Sequence, residues 1–159
     1  MKMVVVYGAP CSGKSNYVQN NITDKDVSFD YDLITRAITH SDKHSVDRSM
    51  THPIVQTIER SMLIKLKEDY ENKPERIFYA TRYANKYIKE KLKDFEVEYV
   101  KMEATKEECL DRLEKDDSRP DKEVWAKKID DWFNNEEEQR IKKINKLKRS
   151  INKNTNTQK

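Results

Sequence analysis

The chain has 159 residues, 35% of them hydrophobic and 38% charged, which supports one domain with a small core under a strongly charged surface. Its 32 lysines and arginines against 29 aspartates and glutamates leave a net charge of +3, too close to balance to indicate a nucleic-acid-binding protein by itself. The sequence has no apolar run long enough to span a membrane, no signal-peptide pattern and only two cysteines, so we expect a cytoplasmic protein rather than a membrane or secreted one.

Short apolar runs alternate with helix-compatible segments along most of the chain. Met3–Tyr7 is a continuous, largely β-branched run, which is typical of a strand buried on both faces of a parallel sheet. In chain order, the pattern predicts strands at residues 3–7, 27–29, 76–80 and 97–100, with helices at residues 14–19, 33–39, 53–70 and 85–93, and two more that start at residue 105 and after residue 120. Residues 39–51 are predicted to be polar and irregular. This alternation favours an α/β fold with a parallel sheet flanked by helices.

The third predicted helix carries an apolar stripe. Ile54, Ile58 and Met62 are four residues apart, and Val55 and Leu66 widen the stripe. We expect these side chains to face the core.

Residues 8–15, the phosphate loop, read G-A-P-C-S-G-K-S and match the pattern G-x-x-x-x-G-K-[ST] between a strand and a helix. The chain has only two glycines, Gly8 and Gly13, and both lie here, where the backbone must follow a path that other residues resist. In such a loop the N–H groups point at phosphate oxygens, so we expect Lys14 to reach the β- and γ-phosphates and the Ser15 hydroxyl to bind Mg²⁺. The sequence therefore predicts a three-layer P-loop NTPase fold that binds ATP and Mg²⁺ through Gly8, Ala9, Pro10, Cys11, Ser12, Gly13, Lys14 and Ser15.

Polar side chains follow the second and third predicted strands, at the edge where open α/β sheets bind ligands. Asp30 or Asp32 could accept a hydroxyl proton or hold Mg²⁺ through water, and Arg36 could bind an acceptor phosphate. At the end of the third strand, Thr81 could bond a phosphate or an Mg²⁺-bound water, and Arg82 could bind an acceptor phosphate. The alternatives are a solvated turn with a helix-surface arginine for the first group and a structural ion pair for Arg82.

Arg112 and Arg119 flank a polar break between the last two predicted helices. A helical lid hinged there could close over ATP and bring positive charge onto the transferring phosphoryl group, where it stabilises the transition state. Arg119, beside Pro120, is the better candidate, and Arg112 could also contact the nucleotide. Both could instead be ordinary surface arginines.

The phosphate loop, the Phe29–Ile34 stretch, and the segments Cys109–Arg112 and Arg119–Pro120 together resemble the small P-loop kinases of bacteriophage. These include the 5′-kinase domain of phage polynucleotide kinase and related AAA-type ATP-binding proteins. The resemblance covers roughly residues 2–134. It implies nucleotide-kinase-like chemistry in the cytoplasm of a host cell.

The resemblance also implies roles for single residues. Asp32, or alternatively Asp30, would be the base toward a 5′-hydroxyl. Arg36 would bind the acceptor phosphate, and Arg119 would be the lid arginine. With Lys14, these residues form the expected catalytic set.

The composition changes after Gln139. Residues 140–159 carry eight basic side chains and no acidic one, while Ile141, Ile144, Leu147 and Ile151 continue a helical apolar stripe. We expect a kinase-like domain at residues 1–138 and a basic helix with a disordered tail at residues 139–159. The stripe could dock on a partner or on a second copy of the chain, and the basic charge could tether nucleic acid.

Two functions follow from these observations. The first is an ATP-dependent phosphotransferase that moves the γ-phosphoryl group of ATP·Mg to a nucleic-acid 5′-hydroxyl or to a nucleotide. The second is a non-kinase ATP-binding or ATPase module that regulates a protein or nucleic-acid partner.

Overall fold

The computed structural model describes residues 1–44 and 47–156, with residues 150–156 described by their backbone alone. The elements in chain order are β1 (Lys2–Tyr7), α1 (Lys14–Asn21), β2 (Val27–Asp30), α2 (Tyr31–Thr39), α3 (His52–Lys67), β3 (Arg76–Thr81), α4 (Lys86–Lys91), β4 (Glu96–Lys101), α5 (Lys106–Glu114) and α6 (Lys122–Asn156). Each strand and helix predicted from the sequence is present in this order. The largest shift among the first five helices is at the end of α3, which stops before Glu68 because that residue adopts an extended conformation.

The four strands are parallel and lie in the order β2-β3-β1-β4, which places β1 and β3 in the middle of the sheet. Residues 3–6 of β1 are at most 4% exposed, so the prediction of a strand buried on both faces is confirmed. Since all strands run the same way, their carboxyl ends meet at one edge of the sheet.

Alternate residues of β1 face two separate helical layers. Met3 and Val5 belong to a core cluster that α3 and α4 complete. Val4 and Val6 belong to a second cluster, against which Val18 of α1 packs. The sheet is therefore the middle of three layers, and the predicted three-layer α/β fold is confirmed.

The apolar stripe predicted for α3 is confirmed in part, since Val55 and Leu66 are buried and Met62 packs against the core. Ile54 and Ile58 are 50% and 37% exposed, so their expected place in the core was wrong. The buried positions of the helix are Val55, Glu59, Leu63 and Leu66. A wide apolar stripe does not determine which of its residues face the sheet. In the structure, the helix face that packs against the sheet is the one that carries Glu59.

A third cluster joins α5 and α6 to the phosphate loop. Its buried members are Ala9, Cys109, Leu113, Trp125, Ile129 and Trp132. Because Ala9 belongs to the loop, the two helices are anchored beside it. The break between them, residues 115–121, is tied down where Lys122 Nζ donates to the carbonyl oxygen of Asp116 at 2.7 Å.

Helix α6 continues without interruption through the boundary predicted after residue 138. Its backbone stays helical as far as Asn156, across part of the segment predicted to be disordered, and residues 157–159 lie outside the described residues. The apolar side chains Ile141, Ile144 and Leu147 are exposed, and the side chain of Ile151 lies outside the described residues. Within residues 1–44 and 47–156, no helix has the length and apolarity needed to cross a membrane.

Candidate active site

A cleft of about 840 Å³ opens at the carboxyl ends of β1, β2 and β3. It is bounded by the phosphate loop, the start of α2, the end of β3 and the α5–α6 break. The predicted site residues that line it are Pro10, Cys11, Ser12, Gly13, Lys14, Ser15, Asp30, Asp32, Arg36, Thr81, Arg82, Arg112 and Arg119. Gly8 and Ala9 of the loop are buried and do not line the cleft. The topology thus brings side chains from five separate segments to one cavity.

Both glycines of the phosphate loop are required by its shape. A Cβ on Gly8 would lie 2.8 Å from Ser12 Oγ and 3.0 Å from Met102 Cβ, so a side chain does not fit there. Gly13 has a φ of +99° at the N-terminus of α1, in the left-handed region that disfavours side chains. The two glycines therefore allow the loop to turn tightly into the helix.

The Lys14 side chain folds over the phosphate loop. Its Nζ donates hydrogen bonds to the carbonyl oxygens of Gly8 at 2.9 Å and Ala9 at 2.7 Å. Burial lowers the pKa of Lys14 to about 8, although the carboxylates of Asp30 and Asp32 oppose the change. An amine held this way gains a strong partner when a phosphate enters the cleft.

Four residues lining the cleft hold a buried polar atom with no hydrogen-bond partner among the described residues: Ser12 Oγ, His44 Nδ1, Arg119 Nε and Trp125 Nε1. Ser12 Oγ, in the phosphate loop, and Arg119 Nε can both donate a hydrogen bond. An unpaired buried donor is costly, and phosphate oxygens would satisfy both. Arg112 adds positive charge at the same loop, because its Nη1 donates to the carbonyl oxygen of Cys11 at 3.2 Å. These residues fit a bound polyphosphate.

Ser15 and Asp30 place two oxygen ligands together. Ser15 Oγ donates to Asp30 Oδ2 at 3.3 Å, while Asp30 Oδ1 accepts from the backbone N–H groups of Asp32 and Leu33 and caps α2. Mg²⁺ prefers such oxygens and usually takes one or two protein ligands besides phosphate and water. The pair fits a Mg²⁺ ion bound together with a nucleotide.

Asp32 lies in the first turn of α2 and has basic neighbours. Arg48 Nη2 contacts its Oδ1 at 2.5 Å, and His44 Nδ1 lies 3.7 Å from its Oδ2. Burial raises the pKa of Asp32, whereas His44 and Arg48 lower it, and the resulting pKa is about 2. The carboxylate is thus ionised and turned toward basic groups. Sequence reasoning missed both partners because they lie in the irregular segment before α3.

The other residues predicted to bind the acceptor, Arg36, Thr81 and Arg82, make different contacts. Arg36 lines the cleft and its Nε points to the carbonyl oxygen of Ser41 at 3.4 Å. The backbone carbonyl of Arg82 accepts a hydrogen bond from Trp132 Nε1 at 2.9 Å, which fixes the end of β3. In the described part of the chain, no carboxylate lies within ion-pair distance of Arg82, and its side chain lines the cleft with that of Thr81.

Arg119 lies in the α5–α6 break. Its guanidinium contacts the carboxylate of Asp116 and lies over the ring of Trp125, 5.1 Å from the ring centroid. The side chain is only 16% exposed. The break therefore holds the Arg119 guanidinium, paired with Asp116, at the cleft wall, where its charge helps to lower the pKa of Asp32.

The cleft continues beyond the predicted site into a region between α2, α3 and α4, which we call the far lobe. It is lined by Tyr31, His52, Gln56, Glu59, Tyr87 and Lys91. Tyr79 of β3 also lines it and donates a hydrogen bond to Glu59 Oε1, while Lys91 Nζ donates to both Glu59 oxygens at 2.8 and 2.9 Å. The sequence contained one signal for this region. Glu59 lies four residues after Val55 and four before Leu63, so a carboxylate interrupts the apolar positions on the buried face of α3.

Comparison with known proteins gives structural neighbours only. No protein-family model matches the chain, and no curated protein matches it. A chain in the structure of the Pnkp1/Rnl/Hen1 RNA repair complex superposes with a TM-score of 0.65 at 19% identity, covering 86% of this chain and 45% of that one. A chain in a structure of the Pnkp1/Rnl/Hen1 complex gives a TM-score of 0.54 at 20% identity, covering 70% of this chain and 38% of that one.

This chain spans less than half the length of these two solved chains. Similarity at such identity establishes a shared fold. It leaves the activity, substrate and partners of this chain to be inferred from its own residues.

Proposed function

We propose that the chain is an ATP-dependent phosphotransferase that moves the γ-phosphoryl group of ATP to a nucleic-acid 5′-hydroxyl or to a nucleotide. The observation that carries the proposal is that the phosphate loop and the Asp32 carboxylate open into one cleft. A donor phosphate on the loop and an acceptor hydroxyl at Asp32 would therefore meet inside it. The solved chain that shares this fold at a TM-score of 0.65 comes from an RNA repair complex, which is consistent with a nucleic-acid acceptor.

The donor side is the phosphate loop with its basic neighbours. Backbone N–H groups, Ser12 Oγ and Lys14 Nζ would bind the β- and γ-phosphate oxygens, and Ser15 with Asp30 would hold Mg²⁺. Bound Mg²⁺ neutralises charge on these phosphates. Arg119, with Arg112 beside it, would stabilise the charge of the transferring group.

The acceptor side begins at Asp32. The carboxylate would accept a hydrogen bond from the acceptor hydroxyl, orient its oxygen toward the γ-phosphorus and take its proton. The new bond joins that oxygen to phosphorus, the bond from phosphorus to the β–γ bridging oxygen breaks, and ADP leaves. A base with a low pKa suffices because the transition state is loose and the proton is needed only late. Arg36 and Arg82, with Thr81, would hold an acceptor phosphate.

A second function is favoured by one observation on α6. The exposed stripe of Ile141, Ile144 and Leu147 lies on a helix end rich in lysine and arginine. A regulatory ATP-binding module could use this surface to contact a protein or nucleic-acid partner, or a second copy of the chain. On either function we propose a cytoplasmic location, in a host cell if the protein is encoded by a phage.

Transfer of labelled γ-phosphate from ATP·Mg separates the two functions. The acceptor panel contains 5′-hydroxyl DNA and RNA oligonucleotides, nucleoside monophosphates, nucleosides and water, with the Lys14→Ala protein beside the unchanged one. Label on one acceptor class that depends on Lys14 supports the kinase. Label only in free phosphate, or in no product, overturns it in favour of the regulatory module.

A further inference from the structure

We infer that the far lobe binds the nucleobase of the acceptor, so that the enzyme recognises the terminal nucleoside as well as its reacting hydroxyl. The inference rests on the proposed function in assigning the base to the acceptor. It concerns Tyr31, His52, Gln56, Glu59, Tyr87 and Lys91, none of which the phosphate site uses.

The position of the far lobe points to the acceptor. Tyr31 directly precedes Asp32 at the start of α2, and the guanidinium of Arg48, which contacts Asp32, lies 4.7 Å from the centroid of the Tyr31 ring. A molecule with its hydroxyl at Asp32 would therefore lie beside the pair formed by Arg48 and the Tyr31 ring. The continuous cavity offers the rest of that molecule space between α3 and α4.

The charge of the far lobe favours a base over a second phosphate. Glu59 is a buried carboxylate that accepts two hydrogen bonds from Lys91, so the charge of the Lys91 ammonium is already compensated and attracts a phosphate only weakly. Glu59 Oε1 accepts from both Tyr79 and Lys91, whereas Oε2 accepts from Lys91 alone and keeps one acceptor position. The ammonium of Lys91 keeps one of its three donors. Glu59 Oε2 as a hydrogen-bond acceptor and Lys91 Nζ as a donor therefore lie side by side. They match the edge of a nucleobase that has a donor facing Glu59 and an acceptor facing Lys91.

The aromatic side chains supply surfaces for a flat ring. Tyr87 on α4 is 63% exposed, with the Lys91 ammonium 4.7 Å from its ring centroid on one face. Across the lobe, the Tyr31 hydroxyl and His52 Nδ1 lie within hydrogen-bond distance, 2.9 Å apart, and hold their rings in place. Base stacking on such side chains is typical of proteins that bind single nucleotides and unpaired strands. Gln56 adds an exposed carboxamide, which can donate and accept at a base edge.

Binding of free nucleosides tests this inference without any transfer reaction. Adenosine, guanosine, cytidine, uridine and thymidine lack phosphates, so the phosphate loop gives them little affinity. Saturation-transfer NMR would measure their dissociation constants with the unchanged protein and with Lys14→Ala, Tyr87→Ala, Glu59→Gln and Tyr99→Ala. Tyr99 on β4 is a partly exposed tyrosine outside the cleft and serves as the matched control.

We expect at least one nucleoside to bind the unchanged, Lys14→Ala and Tyr99→Ala proteins equally. Tyr87→Ala should weaken it by about tenfold, the loss expected for one stacking contact. Glu59→Gln should change which nucleoside binds best. Tyr87→Ala keeps the test valid if Glu59→Gln fails to fold, because Tyr87 is largely exposed. Binding that is absent, or that Tyr87→Ala leaves unchanged, overturns the inference.

The outcomes for the two proposals are separable. If phosphoryl transfer fails on every acceptor while nucleosides bind as expected, the proposed function is wrong and the far lobe still binds a base. If transfer proceeds and Tyr87→Ala leaves the KM for the acceptor unchanged, the base site is wrong and the kinase stands.

Discussion

The guanidinium of Arg48 lies 2.5 Å from a carboxylate oxygen of Asp32, although 16 positions separate the two residues along the chain. The contact ties the irregular segment before α3 to the first turn of α2. His44, in the same segment, makes a contact with the α5–α6 break: its backbone N–H donates to the carbonyl oxygen of Ser118 at 2.7 Å. The segment therefore connects the candidate base to the break that carries Arg119.

Replacing Arg48 should change the ionisation of Asp32. In Arg48→Gln the positive partner is lost while burial of the carboxylate remains, so the pKa of Asp32 should rise from about 2 toward its usual 3.8. The Asp32 carboxyl carbon, followed by NMR through an acid titration, reports this directly. Arg60→Gln on the exposed surface of α3 is the matched control. An unchanged pKa in Arg48→Gln would show that His44 and Arg119 are enough to hold the carboxylate ionised.

Lys14→Ala should remove ATP-dependent activity and leave the fold intact. Among the described residues the amine donates hydrogen bonds only to loop carbonyls, and burial already disfavours its charge, so truncation costs little stability. Loss of a preorganised donor to the transferring group should lower kcat/KM by about a hundredfold or more. Initial rates and the circular dichroism spectrum check both statements, with Lys93→Ala on the exposed surface as the control. Activity retained in Lys14→Ala would refute the site assignment.

Replacing Asp30 or Asp32 by asparagine should have different effects on the reaction, because we assign the two carboxylates different roles. Asp32→Asn removes the proton acceptor and should lower phosphoryl transfer about a hundredfold while ATP affinity changes little. Asp30→Asn keeps a capping oxygen for α2 and should instead raise the Mg²⁺ concentration needed for half-maximal activity. Transfer rates over a Mg²⁺ titration, with ATP binding measured in parallel, give the comparison. If Asp30→Asn lowers transfer and Asp32→Asn does not, the base is Asp30.

The elements and the phosphate loop could be predicted because their signals are local. A run of β-branched residues marks β1, and eight consecutive residues fix the loop whose two glycines have the strained positions expected. The order of the strands places the ends of β2 and β3 beside that loop, so Asp30 and Arg82 could also be anticipated. Each of these inferences needs only sequence neighbours and the rules of parallel sheets.

The acceptor side could not be predicted in the same way. Arg48 contacts Asp32 from the irregular residues between α2 and α3, and no periodic pattern in the sequence predicts a contact from there. Glu59 was overlooked because an apolar stripe about one face of α3 can be centred on Ile58 or on Val55. Packing of α3 against the sheet decides which of the two faces is buried. In the structure it buries the face with Val55 and Glu59.

The ion pair between Asp26 and Arg76 should make the fold sensitive to acid, far from the cleft. Asp26 accepts from the Arg76 backbone and guanidinium and from the Thr23 backbone and hydroxyl, and it joins the start of β3 to the turn before β2. The hydrogen bond from Arg76 is the main reason that the pKa of Asp26 is held well below its usual 3.8. A carboxyl group with a lowered pKa stabilises the folded state above about pH 4 and loses that contribution as the pH falls further.

Asp26→Asn should therefore unfold at a temperature about 5 °C lower at pH 7, and this difference should shrink as the pH falls below about 4. Thermal unfolding followed by circular dichroism between pH 3 and pH 7 measures it. Asp24→Asn, two residues earlier in the same turn and exposed, should match the unchanged protein throughout. If the unfolding temperature of Asp26→Asn stays lower by the same amount down to pH 3, then the hydrogen bonds and packing of Asp26, and not its charge, hold the two strand ends together.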